Sequence, residues 1–165
     1  MMAAEKGKIM LRPATLEDAK LLFDWRNDSV TRDVSFSSEP IAWETHIPWL
    51  EKVLQNPSRK VYIGERMEDH IPIGQVRFDL HSEEEIEINI AVAPAWRGRG
   101  LGTTLIREGV DRIQRDFDGI RTIIALIKPD NAASRKAFQK NGFEYRETFI
   151  VRDKIPAEKW ILEIN

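Results

Sequence analysis

Residues Ile86 to Gly102 read IEINIAVAPAWRGRGLG: a strand, a break and a glycine loop in succession. Ile86, Ile88, Ile90 and Val92 alternate with Glu87, Asn89 and Ala91, the period-2 pattern of a strand with one apolar face. Ala93-Pro94-Ala95 ends the strand, and Arg97-Gly98-Arg99-Gly100-Leu101-Gly102 forms a tight loop. Leu101, Leu105, Ile106, Val110, Ile113 and Phe117 then recur at spacings of three and four, which predicts an amphipathic helix.

A glycine loop between a strand and a helix suits an anion. The first helical turn leaves backbone N–H groups without partners, and the aligned peptide dipoles place partial positive charge there. Glycines let an anion approach the backbone, and Arg97 and Arg99 add forked cationic donors. We read the loop as a pyrophosphate cradle. It is not a P-loop, because no Gly-Lys-Ser/Thr follows, and it does not match the dinucleotide fingerprint G-x-G-x-x-G.

The Arg-x-x-Gly-x-Gly run from Arg97 to Gly102 resembles the acetyl-CoA pyrophosphate loop of the GNAT (GCN5-related N-acetyltransferase) superfamily. A second segment, Asn131-Ala-Ala-Ser134-Arg-Lys136-Ala-Phe138-Gln-Lys-Asn-Gly142-Phe143, resembles that family's N-x-x-(A/S)-x-x-x-(Y/F)-x-x-x-G-F motif and follows an apolar strand, Thr122 to Ile127. Together with the order of elements the resemblance spans about Ile9 to Ile164.

The 165 residues suit one domain: a loose tail over residues 1–7 and a single domain over 8–165. A hydrophobic content of 42% with mixed charge describes a globular chain, and a net charge of −2 argues against a general nucleic-acid binder. With no cysteine there is no disulfide, thiolate nucleophile or cysteine-held zinc, and His46, His70 and His81 lack metal spacing, so no metal is expected. The N-terminus lacks the apolar run of a signal peptide, and no stretch approaches the ~20 apolar residues of a membrane span. A cytoplasmic protein with no membrane partner is the expectation.

Along the chain, Lys8 to Arg12 reads as a strand and Thr15 as a helix N-cap, with a helix running to Trp25-Arg26-Asn27-Asp28. Ser29 to Pro40 reads as a polar loop with at most a turn of helix. Ala42 to Gln55 reads as a helix that Pro48 must kink or restart. Lys60–Glu65, Ile73–Leu80 and the Ile86 strand form an antiparallel meander, and the strand ending at Ile127 lies parallel to the Ile86 strand across the long helix. A helix over Asn131–Asn141 and two strands around Pro156 complete the chain. The fold class is α+β.

The resemblance implies a GNAT fold: a mostly antiparallel sheet of about six to seven strands with a splayed parallel pair, flanked by about four helices. It implies acetyl-CoA as the cofactor, with the pantetheine arm along the backbone of Ile90, Ala91 and Val92, where the Val92 N–H polarises the thioester carbonyl. Gly98, Arg99, Gly100, Leu101, Gly102 and Thr103 hold the pyrophosphate beside Arg97, and Asn131, Ser134, Lys136 and Phe138 belong to the cofactor side. The implied chemistry is acetyl transfer to a primary amine by direct attack, so a base must take a proton. Glu87, beside Asn89 on the polar face, is the candidate, with Glu85 its rival. Where many members place a proton-donating Tyr, this chain has Phe138; Tyr145, Ser134 or water are substitutes, or no acid is needed.

The pattern Trp25-Arg26-Asn27-Asp28, Arg32, Ser35-Phe36, Ile41, His46 and Trp49, with Ile73 to Asp79, resembles GNAT enzymes that acetylate nucleotide-linked amino sugars, of the pseudaminic-acid pathway type. That resemblance implies a sugar nucleotide held by Trp25, Arg26, Asn27, Arg32, His46, Trp49, Arg77 and Asn89. The rival acceptors are protein N-termini, including ribosomal proteins, and small amines such as antibiotics or polyamines. A different class is a non-catalytic acyl-CoA-binding module. The pattern reveals no interface, although a homodimer is common among such enzymes.

Overall fold

The computed structural model describes residues 8–37, 39–151 and 154–164; the expected tail lies outside them. Strand β1 (Ile9–Pro13) leads into a 3-10 turn, Leu16–Asp18, that continues directly into helix α1 (Ala19–Asn27). Thr15 and Asp18 cap that turn reciprocally, each side chain bonding the other's backbone end. Asp28 then accepts from the Thr31 N–H at 3.0 Å and starts a second helix, α2 (Ser29–Val34), within the segment expected to be mostly loop.

Helix α3 (Trp43–Gln55) runs through Pro48 without a restart. Pro48 lies on the exposed side, where removal of one backbone donor is tolerated. Strands β2 (Arg59–Arg66), β3 (Pro72–Leu80) and β4 (Glu85–Val92) form the expected meander. A short 3-10 turn, Pro94–Trp96, precedes helix α4 (Leu101–Asp116). Strand β5 (Thr122–Ile127), helix α5 (Ala132–Lys140) and strands β6 (Glu144–Val151) and β7 (Ile155–Glu163) follow. The described residues thus hold five α-helices, one more than expected, the difference being α2.

The seven strands form one sheet in the order β1-β2-β3-β4-β5-β7-β6, antiparallel except for β4 and β5. Pro156 sits inside β7, opposite Ile150, rather than between two strands. It is accommodated because β5 pairs with β7 only from Glu158 onward, so the missing N–H faces no ladder on that side.

Each sheet face carries its own core. On one face Val76, Phe78, Ile86, Ile88, Ile123 and Ile127 meet Leu105, Ile106 and Ile113 of α4 and Phe138 of α5. Helix α4 lies close because Gly109 has no side chain: a Cβ there would stand 2.8 Å from Ile88 Cδ1. On the opposite face Val61 and Ile63 of β2 meet Leu22 and Trp25 of α1 and Leu50 and Val53 of α3. Helices α1 and α3 cover the β2 side of that face, and the polar residues of β3 and β4 lie beside them.

Candidate active site

Strands β4 and β5 pair only through Glu85–Thr122, Ile86–Ile123 and Glu87–Ile124, and they part beyond Glu87. The Ala93 N–H bonds back to Ile73 O at 2.8 Å and His81 N–H to Glu85 O at 2.9 Å, so odd-numbered residues of β4 turn their peptide groups toward β3. By alternation Ile88, Ile90 and Val92 direct theirs into the wedge between β4 and β5. A thin chain entering there finds a strand edge to pair with. Ala91 stands apart from this edge, because its N–H and C=O serve the β3 ladder opposite Gln75.

Above the wedge, Gly98 and Gly100 take left-handed conformations, φ +77° and +75°, and a Cβ on either would project into open space. Gly100 caps α4 without any side-chain hydrogen bond, so the donors of the first turn stay open. Gly102 seats the loop on β4, 3.6 Å from Ile90 Cδ1 and 3.7 Å from Val92 Cγ2 by the position of an added Cβ. An exposed nest of N–H groups at a helix N-terminus fits a pyrophosphate. Arg99 is exposed beside it, over the Trp96 ring at 4.7 Å. Arg97 instead turns to α2, donating to Asp28 Oδ2 at 2.5 Å and Thr31 Oγ1 at 2.8 Å. Thr103 O accepts from Asn141 Nδ2 at 3.1 Å, which ties α4 to the end of α5.

The second motif is mostly structural here. Asn131 caps α5, its Oδ1 accepting from Ser134 N–H at 3.2 Å and its Nδ2 donating to Ser134 Oγ at 3.0 Å. Lys136 is exposed. Phe138 is 3% exposed and packs edge-to-face on Phe143 at 4.9 Å, so it belongs to the core and not to a cofactor surface.

Glu87 and Asn89 share the polar face with their cross-strand partners Asp79 and Arg77. Asp79 is held by Arg59 Nε at 2.6 Å, and Arg77 Nε lies 3.5 Å from its second oxygen without hydrogen-bond geometry. Glu87 Oε1 and His81 Nε2 share a hydrogen bond at 2.9 Å, whose direction follows the His81 tautomer and the protonation of Glu87. Tyr145, expected as a substitute general acid, lies away from Glu87. It pairs with Trp160 on the α5 side of the sheet, its hydroxyl engaged with Thr148 Oγ1 at 2.7 Å, whereas Glu87 faces the other side. Val92 and Glu87 are also mismatched for one carbonyl: at ~3.3 Å per residue they stand about 16 Å apart along β4. The N–H groups of Ile88 and Ile90 lie between them on the same open edge.

Among the residues expected to hold the acceptor, several hold the protein instead. Trp25 is buried between α1 and α3. Asn27 clamps the chain at Ile41, donating to its carbonyl at 2.8 Å and accepting from its N–H at 2.7 Å. His46 is fully buried, its Nε2 bonded to Ala19 O at 2.8 Å. A carbonyl only accepts, so Nε2 carries the proton and Nδ1 receives the Arg26 Nη1–H at 3.2 Å. Burial lowers the His46 pKa, the Ala19 bond opposes this, and Arg26 lowers it further, so the ring stays neutral. Trp49 lies under Arg26, whose Cζ is 3.9 Å from the ring centroid, and so presents its face to a guanidinium rather than to a base. His46 and Trp49 thereby aim Arg26. Arg32 donates to Asn27 O at 3.2 Å.

Arg26 ends up close to two more cations. Burial, with repulsion from Arg77 and then Arg59, pushes its pKa down to about 10. Arg59, Asp79 and His81 were not among the expected site residues, because only the β2-β3-β4 register brings Arg59 opposite Asp79 and Asp79 opposite Glu87. Among the described residues no three His, Cys, Asp or Glu gather as a metal site, and no helix is long and apolar enough to cross a membrane.

The family described as acetyltransferase (GNAT) domain matches residues 8–144. A mycothiol acetyltransferase of Corynebacterium glutamicum is 36% identical over 75 residues, 45% of this chain, and the chain spans only 25% of that protein's length. A putative phosphinothricin acetyltransferase of Bacillus subtilis is 28% identical over 139 residues, covering 81% of this chain and 82% of that one. The spermidine N-acetyltransferase of Vibrio cholerae, solved with CoA and spermine, superposes with a TM-score of 0.84 at 17% identity, over 94% of this chain and 95% of that one. Together with the glycine loop at the head of α4 and the splayed β4–β5 pair, the match over residues 8–144 settles the family: this chain belongs to the GNAT acetyltransferase family.

Proposed function

We propose that the chain acetylates a primary amine carried by a small anionic molecule, with a nucleotide-linked amino sugar as the acceptor. The observation that carries this is the gathering of Arg26, Arg59 and Arg77, of which Arg59 and Arg77 share Asp79, the residue directly across from Glu87. Stacked on Trp49 and fixed by His46, Arg26 presents a preorganised fork suited to phosphate or carboxylate. A diphosphate relieves the repulsion among three guanidiniums, whereas a polyamine adds to it.

Acetyl-CoA supplies the activated acetyl group. The loop from Gly98 to Thr103 binds its pyrophosphate, and the open edge of β4 receives the pantetheine arm. Ile88 or Ile90 N–H, near Glu87, donates to the thioester oxygen, and Glu87 takes the amine proton directly or through a water. Asn89 orients the acceptor.

A second reading, an amino-acid-like acceptor, draws on the phosphinothricin acetyltransferase relative, which aligns over 81% of this chain. Both readings need the arginine cluster. The test is thiol release from acetyl-CoA with a 4-amino-sugar nucleotide, phosphinothricin, spermidine and an N-terminal peptide as acceptors. The chain has no cysteine, so a thiol reagent sees no enzyme background. Release with the sugar nucleotide alone is expected; release with phosphinothricin alone selects the second reading. Release with spermidine or peptide overturns both, and tight CoA binding without release favours the non-catalytic module.

A further inference from the structure

The proton that Glu87 accepts must leave again before the next turnover. Glu87 is only 20% exposed at its side chain, while His81, in the turn between β3 and β4, is 40% exposed and bonded to it at 2.9 Å. We propose that His81 is a proton-relay residue, passing the proton from Glu87 to solvent. The proposal rests on Glu87 being the base.

The step balances without any further reactant. The ammonium N–H proton goes to the Glu87 carboxylate, either directly or through a water; the freed lone pair forms the amide C–N bond, the thioester C–S bond breaks, and CoA leaves as the thiolate, which takes the second N–H proton of the tetrahedral adduct. The carboxylic acid then gives its proton to the unprotonated Nε2 of His81 in its Nδ1–H tautomer; the imidazolium releases the Nδ1 proton to bulk water, and the exposed ring returns to the Nδ1–H tautomer by proton exchange with solvent before the next turnover. An imidazole suits this because its two ring nitrogens let one take up a proton while the other releases one.

The charged surroundings keep the pair available. On β4, Glu85 shares the face with Glu87; Asp79 of β3 stands directly across from Glu87 and is tied up by Arg59 of β2 and Arg77 of β3. Glu83 and Glu84 flank the turn and are exposed, and the backbone of Ser82 and of His81 itself bonds to Glu85 O, which fixes the loop from which the ring projects. No salt bridge to another carboxylate holds the His81 ring among the described residues.

The experiment measures thiol release from acetyl-CoA, driven by the amine that the acceptor panel identifies or, absent one, by water, because either nucleophile must lose a proton at the same carboxylate. His81→Gln is expected to lower kcat about tenfold to a hundredfold, toward the low end of general acid–base effects, with the KM for acetyl-CoA unchanged. Imidazole added to His81→Ala should restore turnover in a concentration-dependent way, and His81→Gln should add little further loss in a Glu87→Gln background. Wild-type kcat in His81→Gln, or a loss that imidazole does not rescue, overturns the relay while leaving Glu87 as base. Full activity of Glu87→Gln removes the base assignment, and the relay with it.

Discussion

Arg97 of the glycine loop donates to Asp28 at the junction of α1 and α2, 69 positions earlier in the chain, at 2.5 Å. Thr31 accepts from the same nitrogen at 2.8 Å, and Lys128, just beyond β5, donates to Asp33 O at 3.0 Å. Helix α2 is therefore fastened to both arms of the wedge, after β4 and after β5. Burial raises the Asp28 pKa, but the bond from Arg97 and that from the Thr31 backbone outweigh it, and the carboxyl lies below the usual range. Asp28→Asn should loosen the acceptor side by about 1 kcal/mol, reading as a roughly fivefold higher acceptor KM. Steady-state kinetics at saturating acetyl-CoA measure this; an unchanged acceptor KM means that α2 does not shape the acceptor site.

Glu87→Gln should reduce kcat by about 10²–10⁴-fold. The acetyl-CoA dissociation constant should stay near the wild-type value, because the carboxylate lies at the closed end of the wedge, away from the loop. Calorimetry for binding and a pH–rate profile for turnover separate the two effects. A pH–rate profile identical to wild type would falsify the base assignment.

Arg77→Gln should raise the KM for an anionic acceptor by roughly 10- to 100-fold, the loss of a hydrogen bond between charged groups. Its effect on a neutral amine should be small. Equal effects on both would mean that Arg77 only supports Asp79.

Gly100→Val should weaken CoA binding severely. A side chain at this position projects into the open space over the loop, and the φ of +75° disfavours any L-residue, at a cost of about 1–2 kcal/mol. Titration calorimetry with CoA is the check, together with a thermal melt to show that the domain remains folded. Normal affinity in a folded variant removes the loop as the pyrophosphate site.

Arg12 bridges Asp18 and Glu65, at 2.8 and 2.6 Å, and joins β1 and β2 to the turn before α1. The Asp18 carboxyl is held low chiefly by the Arg12 hydrogen bond, against burial. A lowered carboxyl stabilises the fold above its unfolded pKa, near 3.8, and the gain is lost as pH falls through the lower folded value. Asp18→Asn should cost about 2–4 kcal/mol at pH 7, discounted because Arg12 is one-third exposed. In urea denaturation the gap to wild type should hold from pH 7 to about 5, narrow as pH falls below about 4, and vanish only below the lowered folded value. A gap that does not narrow at all on acidification points to packing rather than charge.

The sequence by itself determined the fold through local rules. The alternation of Ile86 to Val92, the glycines at 98, 100 and 102, the Thr15 cap and the helical spacing from Leu101 to Phe117 each depend on near neighbours in the chain, and the elements formed where those patterns lie. Helix α2 was harder to see because it is short and mostly exposed and depends on the Asp28 cap. The division of labour within the site was decided only by tertiary structure. Arg26, His46 and Trp49 look like three ligand-binding residues in the chain, yet packing of α1 on α3 makes His46 and Trp49 the supports that aim Arg26. Arg59 joins Arg77 through strand register, and Arg97 is drawn from the loop to Asp28. Side-chain charges act over a few ångströms of space, and which charges come that close depends on how strands and helices far apart in sequence are packed together.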